Sequence, residues 1–162
     1  MGIRPRGGFG AFPVGCIAGT RLWVVKRMPQ VRDRIVYVVD DDDNVRESTV
    51  SLLKAAGLDA RSFASGGEFL QNLDPSAGGC VLLDLHMPVL SGFQVLERLR
   101  RNGNRMPVVL FSGRADSATE EFARTHGAVA LIPKPFSAIQ LVETVRRQLS
   151  NDQAVIERQG PE

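Results

Sequence analysis

The sequence has little of what builds disulfide scaffolds, zinc sites or membrane spans. Its two cysteines, Cys16 and Cys80, stand 64 positions apart in 162 residues and form no metal or redox spacing. Both read as reduced thiols of a cytoplasmic protein. Tryptophan occurs once, as Trp23, in a segment expected to pack nowhere. No apolar run approaches the roughly 20 residues that cross a bilayer as a helix. A disulfide framework, a cysteine-ligated metal and a membrane anchor are therefore excluded from the reading. What remains is 43% hydrophobic and 23% charged, the balance of a globular chain long enough for a real core.

The net charge of +2 hides an asymmetry. Residues 1–34 carry seven Arg/Lys against one Asp, a net of +6, whereas residues 35–162 carry thirteen against seventeen acids, a net of −4. Residues 1–32 read as a basic, Gly/Arg-rich leader without hydrophobic period. It is expected to be disordered or to reflect a mis-assigned start, with Met28 opening a plausible alternative. As a signal peptide it is weak, because "FGAFPVGCIAG" is broken by glycine.

From residue 35 the pattern becomes regular. Short apolar runs occupy Ile35–Val39, Leu58–Phe63, Cys80–Leu83, Pro107–Phe111 and Val129–Ile132. Between them lie segments of helical period, such as Val45, Thr49, Leu52, Leu53 and Ala56, or Ala138, Val142, Val145 and Leu149. Capping boxes at Ser65/Glu68, Ser91/Gln94, Ser117/Glu120 and Ser137/Gln140 mark helix starts after the later four runs. Asn44, with Glu47 three residues on, is the expected cap of the first helix. Gly57, Gly103 and Gly127 fall where three helices should stop. The fifth helix is expected to end near Ser150 and to leave a short flexible tail, residues 151–162. Strand–helix repeated five times predicts an α/β fold, a doubly wound five-stranded parallel sheet with five helices. Ligands of such sheets bind outside the carboxyl ends of the strands.

Chemistry concentrates at those ends. The run "IVYVVDDDDNVRES" drives a buried strand into four consecutive carboxylates, Asp40 to Asp43. Run three ends in Asp84, run four in Ser112, and run five just before Lys134. Converging carboxylates raise one another's pKa unless a cation neutralises them. An all-oxygen donor set without His or Cys side chains suits Mg²⁺, which takes one or two carboxylates and completes its shell with water and phosphate. A lysine and a hydroxyl facing the same point complete a site for a phosphoryl group carried on a carboxylate. Asp42 and Asp43 read instead as a solvated helix start, where negative charge favours the helix dipole.

The motifs "VVDDDD" (38–43), "LLDLHMPVLSG" (82–92), "LFSG" (110–113) and "PKPF" (133–136), in this order on successive strand ends, resemble the receiver domain of bacterial response regulators. The resemblance covers about residues 33–150, in the flavour that precedes a helix-turn-helix output domain. It implies a flavodoxin-like strand order 2-1-3-4-5. It implies Asp84 as the acceptor of a phosphoryl group from a sensor histidine kinase. Asp41, Asp84 and the backbone carbonyl of His86 would hold Mg²⁺ directly, and Asp40 through water. Lys134 would pair with Asp84 and then with its phosphoryl oxygens, and Ser112 would close on them. A partner protein or a second copy would read the helix 4–strand 5–helix 5 face, with no nucleic-acid or membrane contact by this domain. In strand five the family often keeps an aromatic switch residue, where this chain has Leu131. The rival readings are a degenerate receiver serving as a protein adaptor and a haloacid-dehalogenase-like phosphatase. The phosphatase would use the Asp-x-Asp of Asp40/Asp42, but it also needs a late acidic pair, and here the late strands end in Ser112 and Lys134.

Overall fold

The computed structural model describes residues 34–157. The leader, residues 1–32, with Cys16 and Trp23, lies outside the described residues, as do residues 158–162. Five strands and five helices alternate: β1 (Ile35–Val39), α1 (Asp43–Ala55), β2 (Ala60–Phe63), α2 (Gly66–Asn72), β3 (Gly79–Asp84), α3 (Gly92–Arg101), β4 (Val108–Ser112), α4 (Ser117–Thr125), β5 (Ala130–Pro133) and α5 (Ala138–Glu157). All strands pair in parallel, in the order β2-β1-β3-β4-β5. The expected architecture and strand order are both met.

The two-residue period of a strand sends alternate side chains to opposite faces of the sheet. Tyr37, Val39, Val81, Leu83, Val108 and Leu110 enter one core with Phe69, Val95, Leu96 and Leu99 from α2 and α3. Val36, Val38, Cys80, Leu82, Val109 and Phe111 enter the other with Leu53 of α1 and Leu141, Val145 and Leu149 of α5. Because helices cover both faces, β3 and β4 are buried at every position, while the edge strands β2 and β5 are not.

Three helix starts follow the expected serine caps. Ser65 accepts from the Glu68 amide, Ser91 forms a full capping box with Gln94, and Ser137 accepts from the Gln140 amide. Two do not. The cap of α1 is Asp42 rather than Asn44, and that of α4 is Asp116 rather than Ser117. In both cases an aspartate just upstream offers an ionised acceptor to the same orphan amides, with the helix dipole adding to the attraction. Gly57, Gly103 and Gly127 do end α1, α3 and α4, each at positive φ. The fifth helix does not stop near Ser150. Nothing from there to Glu157 is a glycine or proline, and Ser150 Oγ donates back to the Arg146 carbonyl as a mid-helix serine does.

Candidate functional site

The four consecutive aspartates meet four different fates. Asp40, one step beyond β1, is fully buried. Asp41 is exposed at the mouth of the site. Asp42 caps α1, its Oδ1 accepting from the amides of Asn44 and Val45 at 2.9 and 3.2 Å. Asp43 opens the helix and pairs with Arg46. The solvated helix start expected for Asp42 and Asp43 is what the chain forms.

Parallel strands bring Asp84, at the end of β3, beside Asp40. Carboxylate oxygens of Asp40, Asp41 and Asp84 all lie within 4.8 Å of one another. Lys134, next after β5, reaches into this group. Its Nζ donates to Asp40 Oδ2 and to Asp84 Oδ1, each at 2.8 Å. Burial alone would depress the Lys134 ammonium. The hydrogen bonds and charges of Asp40 and Asp84 outweigh it, and the pKa is raised above the ordinary lysine value. The Lys134–Pro135 bond is cis, and the Lys134 amide donates to the Ser112 carbonyl at 2.7 Å. Phe111 and Phe136 stack at 4.8 Å beside the lysine, with Nζ 6.0 Å from the Phe111 ring centre. This apolar wall shields one side of the ammonium from water.

Ser112 ends β4, fully buried. Its hydroxyl is held in a local turn: Oγ donates to the Arg114 carbonyl at 2.5 Å and accepts from the Arg114 amide at 3.0 Å. The loop after Asp84 folds tightly against that strand end, with the Gly92 amide donating to the Leu85 carbonyl. A Cβ at Gly92 would stand 2.4 Å from the Asp84 carbonyl oxygen, so only glycine fits. His86, on this loop, turns its side chain to solvent.

The sites predicted from sequence thus gather at one edge: Asp40, Asp41, Asp84 and Lys134 directly, Ser112 beside them. An oxygen-only set of three carboxylates this close suits a hard divalent cation. Sequence reasoning missed Arg46 and the Phe111–Phe136 wall. The phenylalanines carried a signal, since they flank Ser112 and Pro135 in the sequence.

Residues 36–146 match the response regulator receiver domain family. The chain belongs to that family. Its receiver is 36% identical over 118 residues to the response regulator protein TodT of Pseudomonas putida, covering 73% of this chain and 52% of that one. It is 36% identical over 114 residues to the transcriptional regulatory protein FixJ of Azorhizobium caulinodans, covering 70% of this chain and 54% of that one. The solved response regulator StyR superposes with a TM-score of 0.71 at 32% identity, covering 78% of this chain and 66% of StyR. The chain spans about half the length of the curated relatives it matches. Receiver membership supports a role in phosphorylation-dependent signalling. No helix among the described residues is long and apolar enough to cross a membrane.

Proposed function

We propose that the receiver accepts a phosphoryl group on Asp84 from the phosphohistidine of a sensor histidine kinase. The observation that carries this reading is the Lys134 ammonium bound at 2.8 Å to both Asp40 and Asp84. Three separated strand ends thereby converge on one carboxylate, Asp84.

In the transfer, an Asp84 carboxylate oxygen attacks phosphorus. The P–N bond of the donor breaks as the P–O bond of an acyl phosphate forms, and the imidazole leaves with the bonding pair. Lys134 stays cationic and moves its hydrogen bond from the carboxylate to a phosphoryl oxygen. Ser112 gives up its bonds to Arg114 and donates to another. Asp41, Asp84 and the His86 carbonyl would hold Mg²⁺, with Asp40 acting through water. When bound, the ion neutralises charge that develops on the transferring phosphoryl oxygens.

The chain acts as a regulated acceptor in the cytoplasm rather than as an enzyme that turns over substrate. Movement at Ser112 and Lys134 alters α4, β5 and α5, the face offered to a downstream protein or a second copy. The phosphatase alternative lacks its late acids, since β4 and β5 lead into Ser112 and Lys134. Incubation with Mg²⁺ and acetyl phosphate should add one hydroxylamine-labile phosphoryl group per chain, and Asp84→Asn should abolish it. Equal labelling of both proteins would remove Asp84 as the acceptor.

A further inference from the structure

Asp41 is the exposed member of the carboxylate cluster. Its direction depends on the peptide that joins it to Asp40. That peptide is held from one side chain. Arg46, on the first turn of α1, donates from Nη1 to the Asp40 carbonyl oxygen at 2.8 Å. Its Nη2 pairs with Asp43, which bounds the acidic run on the other side. The Arg46 side chain is only 13% exposed, although it carries a charge. Asp40's own carboxylate adds a second tie, accepting from the Asp42 amide at 2.9 Å.

We propose that Arg46 is a positioning residue for the metal-binding carboxylates: its guanidinium fork grips the Asp40 carbonyl and the Asp43 carboxylate and so fixes the backbone that aims Asp41. This rests on the reading of Asp41 as an Mg²⁺ ligand. The fork geometry is what the role requires. A guanidinium offers donors in a rigid plane and can hold two acceptors at once, whereas an ammonium is a point charge on a flexible stem. Carboxylates held in place by such outer partners bind metal more tightly than free ones.

Charge alone makes the opposite forecast. A fixed positive charge beside the site repels a dication, so its removal should tighten Mg²⁺ binding. The sign of the change therefore separates the two roles. Calorimetric Mg²⁺ titrations of the full chain compare wild type, Arg46→Met, Arg46→Lys and Asp41→Ala. Arg46→Met keeps the apolar stem and should bind about tenfold more weakly. Arg46→Lys keeps the charge but loses the fork, and should fall between. Binding by Arg46→Met as tight as wild type, or tighter, overturns the proposal. Wild-type affinity in Asp41→Ala instead overturns the metal-ligand reading beneath it. Should Arg46→Met not fold, Arg46→Lys decides by amide NMR without metal. The Asp41 and Asp42 resonances should shift while those of β3 and β4 hold, and unmoved Asp41 and Asp42 resonances overturn the proposal.

Discussion

Both faces of the sheet are closed by apolar side chains, whereas its carboxyl edge gathers three carboxylates, an ammonium and a buried hydroxyl. On the faces, Leu82, Leu83, Val109 and Leu110 are fully buried and need nothing but shape. At the edge, Asp40 and Ser112 are buried just as completely but need named partners. A face residue contributes stability by leaving water. An edge residue costs stability unless an opposite charge meets it. The molecule thus separates the part that folds it from the part that reacts, a few residues apart on the same strands. Lys134 pairs with two of the three carboxylates, Asp40 and Asp84, which leaves the cluster a deficit of positive charge that suits a hard cation.

The largest test of this contrast deletes one group from each region. Leu82→Ala should destabilise by about 3 kcal/mol through lost burial and a residual cavity. Lys134→Met should cost a comparable amount, about 3 kcal/mol, by leaving Asp40 and Asp84 without their cation. Mg²⁺ distinguishes them. Measured by urea unfolding in millimolar Mg²⁺, the Lys134→Met deficit against wild type should shrink, because a dication supplies the missing charge. The Leu82→Ala deficit should not move. The pH dependence gives a second handle. The folded pKa of Lys134 is raised, so its contribution is complete below the ordinary lysine value of about 10.4 and is lost as pH rises through the folded value. The gap between wild type and Lys134→Met should therefore be flat through neutral pH and close only in alkali. Equal Mg²⁺ rescue of both variants would erase the contrast between face and edge.

The same contrast governs what could be read from the sequence. The faces were legible because burial on both sides leaves unbroken apolar runs: "IVYVV" and "CVLL" announce strands covered by helices on either face. Asp84, Lys134 and Ser112 were legible because each directly ends or follows such a run. Arg46 was not. It acts on a carbonyl six residues back through a long side chain, and in the helical period it is one more polar position. The caps failed for a related reason. "DDDDN" and "ADSATE" each offer several good cap residues in a row, and only the path of the chain decides that Asp42 and Asp116 take the amides. Helix α5 runs past the expected end near Ser150 because no glycine or proline interrupts it there and the Ser150 hydroxyl turns back onto the Arg146 carbonyl.

Gly92 sits where face and edge meet, and a single methyl group there sharpens the comparison. It touches no carboxylate, yet a Cβ would press on the Asp84 carbonyl oxygen at 2.4 Å and on Leu85 Cα at 3.0 Å. Backbone on both sides cannot yield as a flexible side chain would. Gly92→Ala should cost about 1–3 kcal/mol and displace the end of β3. Acetyl phosphate labelling of Asp84 should slow even under conditions where the variant is fully folded. Unchanged labelling in a folded Gly92→Ala protein would show that the loop does not set the geometry of Asp84.

The smallest expected effect concerns how the edge speaks to the outer face of α4 and β5. Leu131, on β5, pairs in register with Leu110 of β4 and packs, half-buried, against the core. It also lines a groove of about 360 Å³ with Glu120, Ala123, Arg124, Ala128 and Val129. Phosphorylation would draw the Ser112 hydroxyl away from Arg114 and loosen the turn leading into α4. A ring at position 131 could follow into the vacated space and transmit the change, whereas Leu131 has less reach and no polar edge. Coupling between site and groove should accordingly be weak, since a small differential affinity moves a two-state population little. The groove gives a larger side chain room, so Leu131→Phe should cost little stability, less than the roughly 1–3 kcal/mol of an overpacked core. It should enlarge the amide NMR changes across residues 114–136 on phosphorylation while leaving the labelling of Asp84 as it is. A well-folded Leu131→Phe protein with changes no larger than wild type would mean that the edge signals through the Ser112 loop alone.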